Sequence, residues 1–250
     1  MKKLKAPLLF ALALLPIGAV AGFFAILYQL EFMDAAMVEQ AVSQLGSVEA
    51  LIAVYVVQTL GYTLFCGFVG HILAGQLGLM KPVRFEKAAL VPTCLWGLTA
   101  GIILALDSWT FGAVIPGIRE ANAATLTWNT VLASVLYGGV VEELMLRLFF
   151  MSVIAWLGWK LFFRKAETAP AGVIIAANVI AALLFAAGHL PATQMLFGEL
   201  TPLILLRCFL LNGGFGLVFG RLYRKYGIQY AMLTHALAHI VAKVIWALFL

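Results

Sequence analysis

The sequence has little charge for its length. Only 11% of its 250 residues are Asp, Glu, Lys or Arg, whereas soluble domains carry about 25%. A soluble globular fold is therefore excluded. Apolar residues make up 64% of the chain, the mean hydropathy is +1.05, and several apolar runs reach the roughly 18 residues that cross a bilayer. This composition predicts an all-α, polytopic integral membrane protein.

Cysteine is also scarce, and the positive charge is confined to short groups. The three cysteines, Cys66, Cys94 and Cys208, lie in separate apolar segments without a CxxC or CxxH pairing. That distribution is typical of small buried hydrophobic residues. The net charge of +5 comes from cations at the ends of apolar segments, where they set membrane topology. We therefore expect the lipid bilayer as a partner and no nucleic acid.

Seven apolar segments are candidates to cross the membrane. They cover residues 6–30, 49–80, 88–105, 125–163, 172–189, 201–221 and 228–250. The fourth would be about 58 Å long as one helix, nearly twice the thickness of a bilayer core. It is therefore either strongly tilted or broken in two, and a break would give an eighth, partial span. The stretch 191–199 is predicted to be a short loop.

The charged groups between these segments predict the topology. Lys and Arg cluster in four places, at residues 1–5, 81–87, 160–165 and 221–225. Such clusters face the cytoplasm, so we expect a cytoplasmic N-terminus and a C-terminus outside, in the inner or plasma membrane if the chain is prokaryotic. Residues 1–21 also resemble a signal peptide that ends in Ala19-Val20-Ala21. Because the apolar run continues past Ala21, we expect an uncleaved first span and leave cleavage open.

The fourth apolar segment contains the motif Glu142-Glu143-Leu144-Met145-Leu146-Arg147. Each ionisable group at the centre of a membrane helix costs about 2.5–3.5 kcal/mol on insertion scales. Glu143 and Arg147 are one helical turn apart and can pair, which indicates a structural role. Glu142 lies about 100° around the helix from Glu143 and has no such partner. An unpaired carboxylate in this position favours a chemical role for Glu142.

Histidine is rare, and three of the four histidines fall in two helical patterns. Phe185 and His189 share one helix face, and His235 and His239 share another. A carboxylate together with several imidazoles can support general acid–base chemistry or bind a metal. His71 stands alone, which is typical of an ordinary polar contact. Arg207, in the sixth segment, is expected to reach the membrane interface or to bind Glu199.

At these residues the sequence resembles the CAAX protease family of intramembrane proteases, also called CPBP, Abi or type II CAAX prenyl endopeptidases. The family motifs are EExxxR, FxxxH and a final HxxxN. Here they correspond, in order, to Glu142–Arg147, Phe185–His189 and His235–His239, and the resemblance covers roughly residues 125–245. The chain departs from the family at His239, where asparagine is usual. The departure raises the possibility of a metal ligand at this position.

The resemblance implies an intramembrane endopeptidase that acts on a peptide or protein substrate arriving from the membrane or the cytoplasmic side. Glu142 would activate a water molecule with help from His189, and His235 and His239 would donate hydrogen bonds to the developing oxyanion. Glu143, Arg147 and Phe185 would orient these groups, and no cofactor would be needed. We expect one membrane domain over residues 1–250, with N-terminal spans in 1–124 and the catalytic helices in 125–250.

Two alternatives remain open at this level. A zinc hydrolase would use His189, His235 and His239 as metal ligands and Glu142 as the base, although the sequence contains no HExxH motif. A non-enzymatic membrane scaffold would use the same polar cluster only to hold helices together.

Overall fold

The N-terminal part of the protein is built from four helices. A computed structural model describes the backbone of residues 2–250 and the side chains of residues 4–250, so Met1 and the Lys2 and Lys3 side chains lie outside it. The helices are α1 (Lys2–Phe32), α2 (Ala35–Leu45), α3 (Val48–Gln76) and α4 (Lys87–Leu106). Asp34 and Ser47 begin α2 and α3 by accepting hydrogen bonds from the backbone N–H groups of Met37 and Ala50, at 2.8 and 3.1 Å. Such caps satisfy donors that a helix start leaves free.

The middle of the chain forms one long helical run. A 3₁₀ turn (Phe111–Ala113) and the short helix α5 (Ile118–Ala124) precede it. The run comprises α6 (Trp128–Leu132), π-helical stretches at Ala133–Glu142 and Leu144–Met151, and α7 (Ser152–Phe162). It has no break, so the alternative of two separate halves does not apply. π-Helical geometry is rare and is frequently found at functional sites, and here it carries the acidic motif.

The C-terminal part contains five further helices. They are α8 (Ala171–Gly188), α9 (Leu190–Phe197), α10 (Pro202–Cys208), α11 (Gly214–Tyr226) and α12 (Ile228–Phe249), with a π-helical stretch at Phe209–Gly213 between α10 and α11. The prediction of a loop at residues 191–199 was wrong, because α9 occupies most of that stretch. Pro191 lies in the first turn of α9, where its missing N–H is tolerated. Gly198, with a φ of 76°, ends the helix.

The spans agree with a polytopic membrane protein. By length and composition, six of the described helical segments can cross a bilayer: Leu4–Phe32, Val48–Gln76, Lys87–Ala113, Ala171–Phe197, Pro202–Tyr226 and Ile228–Phe249. The run 128–162 is not among the six, and it carries Glu142, Glu143 and Arg147. The described residues contain helices and no strands. The predicted all-α membrane fold is therefore confirmed.

The basic segments meet at one end of the helix bundle. Lys81 donates a hydrogen bond to the backbone carbonyl of Lys225. The Tyr230 hydroxyl and the Gln229 amide both donate to the carbonyl of Arg84, at 2.8 and 3.2 Å. These contacts join the 81–87 segment to the 221–225 turn, as the charge distribution predicts. Which side of the membrane this end faces stays a prediction.

The opposite end of the bundle is held by acidic and polar side chains. Glu31, near the end of α1, accepts hydrogen bonds from Thr127 and Asn129 at 2.8 Å each. Asp107 pairs with Arg207 at 2.8 and 2.5 Å. The expected partner of Arg207 was Glu199 or the membrane interface, and the ion pair with Asp107 corrects that prediction. Asp107 is 100 residues away in sequence, so only the tertiary fold brings the two together.

Apolar packing fixes the long helical run against its neighbours on the basic side of the acidic motif. Leu144, Leu148 and Met151 are completely buried in a cluster that also includes Phe219 and Tyr223. Gly70 of α3 permits close contact, because a Cβ atom there would lie 2.8 Å from the backbone oxygen of Leu148. The helix that carries the acidic motif is therefore held by side chains in the core.

Candidate active site

A cavity of about 500 Å³ lies at the end of the bundle opposite the basic segments. It reaches from the last turns of α1, α4, α8 and α12 to the middle of the 128–162 run. Polar and ionisable side chains from six helical segments line it, among them Tyr28, Gln29, Tyr55, Tyr137, Glu142, His189, Asn212, His239 and Lys243. Three residues singled out from the sequence, Glu142, His189 and His239, thus share one cavity.

Glu142 is half-buried in the wall of this cavity. Among residues 4–250, no donor group hydrogen-bonds to its carboxylate, whereas the adjacent Glu143 is fully buried and paired. A carboxylate that faces a cavity without a protein donor can hold a water molecule and accept its proton. The two neighbouring glutamates therefore have different surroundings.

His189 stands at the junction between α8 and α9. Its Nδ1 lies 2.8 Å from the backbone oxygen of Phe185. A carbonyl can only accept, so Nδ1 carries the proton in this contact, and in the neutral ring Nε2 is left as an acceptor. His189 can therefore accept a hydrogen bond from a water molecule in the cavity.

A buried chain of polar groups leads from Arg147 to the cavity. Glu143 Oε1 lies 3.2 Å from Arg147 Nη1 and 2.9 Å from His235 Nδ1. His235 Nε2 in turn lies 3.2 Å from His239 Nε2. His235 is only 4% exposed and does not line the cavity, which differs from the expectation that both imidazoles would face the substrate. The fold places His235 behind His239.

Aromatic rings enclose the Arg147 guanidinium. It lies 4.4 Å from the centre of the Phe185 ring and 5.4 Å from that of Phe219, within the range of cation–π attraction. Phe185 also meets His189 edge-on at 4.7 Å, and Phe219 stacks on His235 at 4.6 Å. Phe185 thus contacts both the buried ion pair and a histidine of the cavity.

Gly138 allows the two imidazoles of α12 to approach the long helical run. A Cβ atom at this position would lie 3.3 Å from His239 Nε2 and 3.6 Å from His235 Nε2. We expect Gly138→Ala to push His239 a few tenths of an ångström into the cavity and to lower the peptide hydrolysis that the family resemblance implies about 10-fold, because small misplacements of catalytic groups are costly in rate. Initial rates on a peptide substrate measure this effect.

Gly61→Ala provides the matched control, since an added Cβ there meets nothing within 4 Å. Both variants replace a helical glycine by alanine, so both gain helix propensity. The expected result is a slower Gly138→Ala enzyme with an unfolding temperature equal to that of Gly61→Ala. Equal rates for the two variants would show that the approach at Gly138 has no role in the reaction.

Lys243 was not predicted as a site residue, although the sequence contains a pattern that indicates it. It lies one turn beyond His239 on α12, is 6% exposed, and lines the cavity. A lysine inside an apolar span marks a functional site by default, and the spacing His235, His239, Lys243 places all three on one helix face. Tyr55 and Tyr137 were missed as well, because tyrosines are common at membrane interfaces.

The donor groups do not form a three-ligand metal cluster among the residues that the structure describes. His235 Nε2 and His239 Nε2 face each other at 3.2 Å, but His235 Nδ1 is engaged by Glu143. Of the predicted zinc ligands, His189 and His239 line the cavity, whereas His235 lies behind His239.

A half-buried carboxylate and two imidazoles around a cavity, within a bundle of membrane-crossing helices, define an integral membrane protein with ionisable side chains gathered at one internal site. A family model described as Type II CAAX prenyl endopeptidase Rce1-like matches residues 124–241, the region that contains all three motifs. This match supports the assignment of the region to the CAAX protease (CPBP) family. The family is one of proteases, so the protein is an enzyme, and a purely structural scaffold is not supported. Searches of curated proteins and of solved structures gave no significant match.

Proposed function

We propose that the protein is an intramembrane endopeptidase in which Glu142 activates a water molecule for attack on a peptide bond. The observation that supports this best is the surroundings of Glu142: its carboxylate faces the cavity together with His189 and His239 and lacks a protein donor among residues 4–250. Its neighbour Glu143 is bound by Arg147 and His235. The paired carboxylate is suited to structure and the unpaired one to chemistry.

In the proposed reaction, water bound between Glu142 and His189 loses a proton to the Glu142 carboxylate. The water oxygen attacks the carbonyl carbon of the scissile peptide bond, and the carbonyl oxygen becomes an oxyanion. The protonated Glu142 then gives its proton to the leaving nitrogen as the C–N bond breaks. The products are a carboxylic acid and an amine. His189, whose Nε2 is free to accept, holds the water in line.

The oxyanion is stabilised by a hydrogen bond from the Nδ1–H of His239, because Nε2 of that ring is engaged with His235, and such donors are commonly worth about 2.7–4 kcal/mol. His235 acts through His239 rather than on the substrate, because its two nitrogens are occupied by Glu143 and His239. Glu143 holds the protonated Nδ1 of His235, which orients the ring and the imidazole beyond it. Arg147 and Phe185 position this chain.

The family description points to substrates with a C-terminal CAAX motif, in which the cysteine carries a prenyl group. We propose a peptide of this kind, with its chain entering the cavity and its lipid remaining in the bilayer. The cavity lies at the end of the bundle opposite the basic segments. Because the loop charges predict that the basic segments face the cytoplasm, the cavity end is predicted to face outward. Substrate entry from that end or laterally from the membrane fits this position better than the expected cytoplasmic route.

Metal dependence separates the proposed mechanism from the zinc alternative. We expect purified protein in detergent to cleave a prenylated CAAX peptide at an unchanged rate after treatment with a zinc chelator. Elemental analysis of the same sample should give less than about 0.1 zinc per chain, far below the full occupancy of a three-ligand site. Activity that disappears with the chelator and returns with zinc would establish a metal hydrolase instead.

A further inference from the structure

Lys243 is a buried cation that the proposed reaction does not use. Its side chain lines the cavity together with Glu142, His189 and His239 and is 6% exposed. Nζ donates one hydrogen bond, at 3.0 Å, to the backbone oxygen of Thr125. Among residues 4–250, no carboxylate lies within 4 Å of Nζ, since the ion pairs found there involve other residues.

The ammonium group of Lys243 has fewer hydrogen-bond acceptors than donors and no charged partner among residues 4–250. It carries three donors, and the structure provides one acceptor, a neutral carbonyl. A buried charge is retained when a partner neutralises it, and charged residues within spans mark ligand or ion sites. Glu142 is the sole acidic side chain in the described cavity lining. The group that complements Lys243 is therefore expected to arrive with the ligand.

We propose that Lys243 binds a carboxylate of the peptide substrate, an inference that rests on the endopeptidase function proposed above. A peptide offers this group in two forms, as its free C-terminus or as an Asp or Glu side chain. Lys243 lies one turn beyond His239 on α12, an axial rise of about 6 Å. An extended peptide covers that distance in roughly two residues. A carboxylate held by Lys243 therefore places a bond only a few residues away beside His239 and Glu142.

This position makes Lys243 a specificity-determining residue that favours cleavage close to a carboxylate. The apolar parts of the cavity wall would accept aliphatic side chains, and the Lys243 ammonium would fix the register of the peptide. An ammonium binds a carboxylate as a point charge, so an arginine at position 243 should retain part of the binding. A neutral side chain of similar size at position 243 should not bind the carboxylate.

Binding without turnover tests the proposal independently of the chemistry. The probes are three fluorescent, prenylated CAAX tetrapeptides: a free acid, its C-terminal amide, and an amide that carries glutamate as the last residue. Their affinities are measured by fluorescence anisotropy on Glu142→Gln protein in detergent, with Lys243 intact, as Lys243→Arg, and as Lys243→Gln. Lys165→Gln, at an exposed lysine near the basic end, is the matched control.

We expect the free acid to bind at least about 10-fold more tightly than the amide when Lys243 is intact. The ratio should fall to near one in Lys243→Gln, remain above one in Lys243→Arg, and stay unchanged in Lys165→Gln. Recovery of affinity by the glutamate-containing amide would identify an acidic side chain as an equally good source of the carboxylate. Tighter binding of the free acid and tighter binding of the glutamate-containing amide both support the proposal, as long as the preference is lost in Lys243→Gln.

Equal affinity for acid and amide with Lys243 intact would overturn the proposal, as would an unchanged ratio in Lys243→Gln or no binding by any probe. If Lys243→Gln does not fold, the comparison of peptides on intact and Lys243→Arg protein still decides. Failure of the proposed function gives a different result. In that case Glu142 is dispensable for cleavage, whatever the binding ratio.

Discussion

Replacement of Glu142 by glutamine is expected to reduce peptide hydrolysis by about 10²–10⁴-fold, the usual contribution of general acid–base catalysis. Glutamine has nearly the same shape and can still hold a water molecule, but it cannot accept that water's proton. The Glu142 carboxylate also lacks a protein donor among residues 4–250, so its loss breaks no internal hydrogen bond. Cleavage of a prenylated CAAX peptide, followed by mass spectrometry of the products, measures the effect.

The matched control for this prediction is Glu167→Gln. Glu167 is exposed, between α7 and α8 and away from the cavity, so the substitution removes the same charge without touching the site. Both variants should retain the unfolding temperature of the unmodified protein within about 2 °C, since neither removes a buried contact. Glu142→Gln protein that cleaves the peptide at more than one tenth of the normal rate would refute the assignment of Glu142 as the base.

The second large effect is expected for stability. Arg147→Met should lower the free energy of unfolding by about 3–5 kcal/mol, the cost of removing one partner of a buried ion pair. Glu143 would remain with its negative charge and 0% exposure, and the Phe185 and Phe219 rings would lose the cation between them. Unfolding by a denaturing detergent, followed by tryptophan fluorescence, gives the difference from the unmodified protein.

The double variant Glu143→Gln/Arg147→Met tests the physical reason for this prediction. It removes both charges, so no uncompensated carboxylate remains, and it should recover about half or more of the lost stability. His235 will lose its carboxylate partner at the same time, so we expect low activity even where stability returns. A double variant less stable than Arg147→Met would show that the loss comes from packing of the Arg147 side chain rather than from an unpaired charge.

These two variants probe the two ends of the Glu142–Arg147 motif with opposite expected results. Glu142→Gln should strongly reduce activity at normal stability, whereas Arg147→Met should act mainly through stability. The difference follows from the position of each side chain on the helix. Glu142 faces the cavity, while Glu143 and Arg147 face the interior, where Phe185 and His235 meet them.

Much of the fold could be predicted because it depends on composition and on contacts close in sequence. Long apolar runs have to become helices in a bilayer, since every backbone polar group must be satisfied within the segment. The pairing of Glu143 with Arg147 follows from their spacing of one turn. Residues 191–199 were assigned to a loop, yet Pro191 and Gly198, residue types that often interrupt helices, lie at the two ends of α9, where they are compatible with it.

The candidate site also combines features that the sequence predicts with features that only tertiary packing determines. The acidic motif and the three histidines are visible as polar residues within apolar segments, and their spacing shows which of them share a helix face. Spacing does not show how deep each one lies. His235 and His239 share one face of α12, but only the packing of α12 against the long helical run and α11 places His235 behind His239.

The sequence by itself determined an all-helical membrane protein and indicated the candidate site residues Glu142, His189 and His239, because hydropathy and helical periodicity are local properties. The tertiary structure decided which carboxylate faces the cavity, that Arg207 pairs with Asp107, and that Lys243 joins the site. Each of these depends on how helices distant in the sequence are rotated and packed against one another. No local pattern encodes that arrangement, because it results from all the side chains of the bundle together.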